Sequence, residues 1–67
     1  MKLSELAEKR FFVRIFAGEE DSIEKIVKDP DRRCCKGPTM NNSVLCTMTK
    51  NKRVFYLNSD TEIVEVE

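Results

Sequence analysis

The sequence has no histidine and no tryptophan, only two glycines and two prolines, and an odd three cysteines. Without histidine, neither a Ser-His-Asp triad nor a Cys-His pair can be assembled, and the commonest acid–base group near neutral pH is missing. Gly18 and Gly37 each stand alone, so there is no phosphate-cradling loop and no dinucleotide fingerprint. An odd number of thiols cannot all close into intrachain disulfides, and the adjacent Cys34 and Cys35 are poorly placed to bond one another. No apolar run approaches the length of a bilayer crossing. The stretch Met1–Arg10 carries Glu5 and Glu8 and lacks the apolar centre of a signal peptide. Formal net charge is zero, so no global field draws the chain toward nucleic acid or an anionic membrane. The expectation is a non-enzymatic, cytoplasmic protein with no membrane association and reduced thiols.

What is present fits one small domain spanning 1–67. A chain of this size buries only about 60% of the surface its unfolded form exposes, so its core is thin and a partner subunit is a natural source of extra stability. Charged residues make up 36% of the chain, a high share, yet the apolar residues are clustered at Phe11–Phe16, Ile23–Val27, Val44–Met48, Val54–Leu57 and Ile63–Val66. That clustering argues for a folded core under a charged surface rather than for disorder.

Along the chain, residues 3–10 read as a short helix with Leu3, Leu6, Ala7 and Arg10 on one face. Phe11–Ala17 reads as a strand, with Phe11, Val13, Ile15 and Ala17 on one side and Phe12, Arg14 and Phe16 on the other. Apolar side chains on both faces place such a strand in the middle of a sheet covered twice, or at an oligomer contact. Ser22 reads as an N-cap for a short helix over 22–28, supported by Asp21–Lys25 and Glu24–Lys28 spacing and stopped by Pro30, with a strand as the competing reading. Asp29–Ser43 has the composition of a long loop. Val44–Lys50 and Arg53–Leu57 flank Asn51-Lys52 as a β-hairpin, and Thr61–Glu67 adds a last strand.

The fold class expected from this order is α+β. It comprises a short N-terminal helix, a central strand, a short helix (or strand), then a C-terminal three-stranded antiparallel meander in a small, partly open or barrel-like sheet. If the second segment is a strand, a helix followed by five short strands resembles the order of Sm-like and SH3-like small barrels. The glycine-bearing signature of the closing strands of Sm domains is absent, and no family membership follows.

A zinc site would need four ligands, usually from cysteine pairs spaced two to four apart. Cys34 and Cys35 are adjacent, no second pair exists, and Asp29 or Asp31 would have to complete the set. Cys46 reads instead as a small core residue on its strand, with Cys34 and Cys35 as free loop thiols. Neither a metal nor a cofactor is expected. Glu19, Glu20 and Asp21 read as a solvated charge run rather than catalytic carboxylates.

The charge order is more informative. Every charged residue from Arg32 to Arg53 is basic, namely Arg32, Arg33, Lys36, Lys50, Lys52 and Arg53, with the acids confined to the flanks. If 29–43 folds beside the hairpin tip, these six cations converge, with Tyr56 alongside, into a candidate binding surface. The expected function is a small interaction protein, a regulator or inhibitor that binds another protein, with a homodimer through Phe12, Phe16 or the terminal strand as a linked expectation. Nucleic-acid binding by the basic 32–53 segment is the alternative, weakened by the ordinary role of lysines in keeping an exposed hairpin tip soluble.

Overall fold

The computed structural model describes all residues, Met1–Glu67. Five antiparallel strands form one sheet: β1 (Phe11–Arg14), β2 (Cys34–Met40), β3 (Ser43–Met48), β4 (Val54–Asn58) and β5 (Ile63–Val66), in the spatial order β4-β3-β2-β1-β5. One short helix, α1 (Ile23–Ile26), and 3₁₀ turns at Leu3–Glu5, Glu20–Ser22 and Pro30–Arg32 complete the chain. No helix is long and apolar enough to cross a membrane.

Mixed α and β content in a small sheet that does not close is as expected, but four elements differ. The N-terminal helix shrinks to the single 3₁₀ turn Leu3–Glu5, because the backbone around it bonds elsewhere. Leu3 N–H donates to Thr61 C=O, Ser4 N–H to Ser59 C=O, and Ile63 N–H to Met1 C=O. Leu3 and Leu6 still share a face, since side chains three apart eclipse in a 3₁₀ turn, and both are buried. Asp29–Ser43 is not a long loop. It holds the 3₁₀ turn Pro30–Arg32 and then β2, which forms a hairpin with β3 across Asn41-Asn42, Asn41 taking the left-handed φ of 57° that asparagine tolerates. The meander is therefore β2-β3-β4, and the last strand leaves it to pair with β1, Phe11 opposite Val66 and Arg14 opposite Ile63. The fifth strand comes from 34–40 and not from 22–28, where the helical reading holds, although Ser22 makes no side-chain cap bond. β1 ends at Arg14, short of Ala17.

The core forms where period-two faces meet the N-terminal turn. Phe12, Cys34, Val44, Cys46 and Ile63 cluster with Leu3 and Leu6, and Met48, Phe55 and Leu57 pack around them. Full burial of Phe12 alone contributes on the order of 2–3 kcal/mol. Val13, pointing to the opposite face of the same strand, is also fully buried, as Ile26 of α1 nearly is. β1, held between β2 and β5, is thus covered on both sides, which is why it carries phenylalanine at successive positions.

The register of β2 against β3 shifts between Lys36 and Thr39, so Gly37-Pro38 forms a bulge. The close approach there admits only glycine, for a Cβ built on Gly37 would lie 2.8 Å from the carbonyl oxygen of Leu45. Gly37→Ala is expected to destabilise the fold by about 1–3 kcal/mol, because backbone rather than a flexible side chain must give way. Urea unfolding checks this, and an unchanged midpoint would contradict the bulge geometry.

Candidate functional site

The structure sends the six cations of 32–53 to different tasks. Arg32, at the end of its 3₁₀ turn, donates to both carboxylate oxygens of Glu19 at 2.8 Å each and to the Arg14 carbonyl at 2.8 Å. With Arg14 it also lies over the ring of Phe16, at 5.7 and 4.6 Å from the centroid respectively. Arg32 therefore clamps the 16–19 turn to the 30–32 turn. Lys36 is buried at 5% exposure, its side chain entering the core beside Cys34 and Cys46. Its Nζ donates to the Leu3 carbonyl at 2.9 Å, which also accepts from Leu6 N–H, and to the Leu6 carbonyl, which the short N-terminal turn itself leaves without a backbone donor. Lys50 pairs with Asp31 at 3.2 Å.

Arg33 lies 4.5 Å over the Phe11 ring, and its carbonyl accepts from Thr49 N–H and Oγ1. Those two bonds, with the Lys50–Asp31 pair, bring the 31–33 segment beside the hairpin tip, as the convergence of charge requires. Lys52 takes a left-handed φ of 62° in that tip, and Arg53 N–H is held by Asn51 Oδ1 at 3.0 Å. Both are exposed and have no ion-pair partner. Of the basic set, the tip thus brings together Arg33, Lys50, Lys52 and Arg53, while Lys36 and Arg32 are directed to the core and to Glu19.

Tyr56 sits on the edge strand β4. Phe55 and Leu57 turn inward, leaving Val54 and Tyr56 on the outer face at 65% and 67% exposure. Met48 N–H donates to Arg53 C=O, which fixes the phase of the β3–β4 ladder. By antiparallel alternation, the N–H and C=O groups of Val54 and Tyr56 point away from β3. The outer face continues across the whole sheet: Val54, Thr47, Cys35, Phe11 and Val66 lie directly opposite one another from strand to strand. Val54, Phe11 and this row were not among the residues singled out from sequence. The signal that could have found them is the alternation of Val54 and Tyr56 against Phe55 and Leu57.

Two titratable environments bear on chemistry. Burial pushes the Cys46 thiol up to about 11, with Cys34 adding to the rise and Lys36 opposing it. Burial also raises Cys34, which lies on β2 and not in a loop. Both are protonated at neutral pH and are weak nucleophiles. Hydrogen bonds from Arg32, then from Phe16 N–H, hold the Glu19 carboxyl down at about 2.

Comparison with protein-family models, with curated proteins and with solved structures finds no match.

The Glu19–Arg32 clamp carries a pH signature. A carboxyl depressed from 4.5 to about 2 favours the folded state fully above pH 4.5 and loses that contribution as pH falls through about 2. The melting temperature of Glu19→Gln should therefore lie below that of the parent at neutral pH, and the gap should close between pH 4.5 and about 2. A gap that is unchanged across that window in thermal melts would show that the clamp does not couple to folding.

Proposed function

We propose that this chain is a small non-enzymatic interaction protein that acts by binding another protein, as a regulator or inhibitor, through the outer face of β4. The observation that carries this reading is the pair of exposed apolar side chains, Val54 and Tyr56, beside the unpaired cations Lys52 and Arg53. Exposed aromatic and aliphatic anchors with a charged rim are the composition of protein-recognition surfaces.

The state of the reactive groups supports a binding role over catalysis. Cys34 and Cys46 are raised and buried, and Glu19 is ionised far below neutrality, so none of them holds a proton ready to move near pH 7. The nucleic-acid alternative draws on Lys52, Arg53, Arg33 and Tyr56. Burial of Lys36 and pairing of Arg32 and Lys50 leave it fewer free cations to replace condensed counterions.

The test compares the parent with a Val54→Ser, Tyr56→Ser variant, whose exposed positions leave the core intact. Affinity capture from the native host should recover a specific protein with the parent and not with the variant. Identical recovery by both would contradict the assigned surface. Labelled oligonucleotides titrated at low salt should bind neither. Tight binding that collapses as salt rises would select the alternative instead.

A further inference from the structure

The two edges of the sheet are not equivalent. On β5, Ile63 already exchanges bonds with the N-terminus, its N–H donating to Met1 C=O and its C=O accepting from the Met1 ammonium at 3.2 Å. Lys2 bridges Glu62 beside it. The strand β4 has no such cover over Val54–Leu57, and of its outward groups only the Asn58 carbonyl is taken, by Thr61 N–H. Its neighbour is β3 on one side only, and Val54-Phe55-Tyr56-Leu57-Asn58 contains no proline, no charge and no bulge, the devices that usually blunt an edge.

We propose that a second copy of this chain pairs with β4 along this edge, antiparallel about a twofold axis at Tyr56. The inference deepens the binding role proposed above by fixing the assembly that presents the face. In this register Tyr56 meets its own copy, Val54 meets Asn58 and Lys52 meets Asp60. All the outward-facing positions then coincide, because residues 54, 56 and 58 share one phase of the ladder. Tyr56 N–H and C=O bond reciprocally across the axis, and Asn58 N–H reaches the Val54 carbonyl of the other copy. The Tyr56 side chains come to lie side by side on the outer face, where aromatic pairs attract.

Charge order selects the same register. The basic end of the strand, Lys52 and Arg53, falls against the end carrying Asp60. Asp60 is held only by Lys2, at 3.8 Å through Oδ1, leaving Oδ2 open to Lys52 of the second copy. Self-complementarity of this kind gives an isologous contact that closes at two copies. The product is a continuous sheet in which both outer faces, each with Val54 and Tyr56, adjoin.

Sedimentation velocity from micromolar to millimolar protein tests this without any foreign partner, so its outcome is separate from that of host capture. The mass should rise with concentration from 7.8 kDa to twice that value and stop. Tyr56→Lys, which sets like charges opposite each other at an exposed position, should weaken the dimer by about tenfold or more while leaving the melting curve intact at concentrations where the parent is monomeric. Phe16→Ser should leave the dimer unchanged. A monomer at every concentration overturns the proposal, as does a dimer that survives Tyr56→Lys but is lost in Phe16→Ser. Growth beyond two copies would indicate head-to-tail pairing and overturn it equally.

Discussion

An ammonium group among apolar side chains is tolerable only where hydrogen bonds replace its lost hydration, and Lys36 meets that condition in a way that organises the molecule. It rises from β2 into the core and donates to the carbonyls of Leu3 and Leu6. Those acceptors belong to a turn too short to hold itself together. The segment Leu3–Leu6 carries two of the seven residues of the buried cluster. Lys36 thus ties the N-terminal segment over the open side of the sheet, and the segment in turn bonds the stretch 59–63 that leads into β5. Polar satisfaction and apolar burial depend on each other here, because removing either exposes the other.

That arrangement also governs the surface. With Lys36 consumed by the core and Arg32 by Glu19, the basic segment retains free charge at the hairpin tip, next to an edge strand whose outward backbone groups at Val54 and Tyr56 have no partner. The N-terminus, by occupying the start of β5, leaves β4 as the open edge. The location of the proposed interaction surface is therefore a consequence of how the interior was made polar-competent.

The parts legible in sequence are those with strong local signals. The hairpin around Asn51-Lys52 follows from two alternating runs and a turn that accepts left-handed backbone, and the core role of Cys46 follows from its place between Val44 and Met48. β2 was illegible because Gly37, Pro38 and two cysteines mimic a loop, and a bulge that accommodates glycine and proline leaves no trace in periodicity. The alternation of Cys34 and Lys36 is a strand signal, but a lysine in a basic run reads as solvated. Long-range choices were also hidden. Nothing local tells β5 to pair with β1 instead of β4, or Glu19 to meet Arg32 thirteen residues on. Of the candidate surface, the convergence of Arg33 and Lys50 with the tip was legible from charge order, whereas the inward turn of Lys36 was not.

The dependence on Lys36 is most directly read from its own ammonium protons. In ¹⁵N-resolved spectra at neutral pH, hydrogen-bonded and buried protons exchange slowly with water, whereas those of a solvated side chain vanish into rapid exchange. The Lys36 ammonium resonance should persist, with through-space contacts to Leu3 and Leu6, while that of Lys52 is lost. A Lys36 signal that exchanges as fast as the Lys52 signal would contradict this dependence, since the N-terminal turn would then be held by something other than this group.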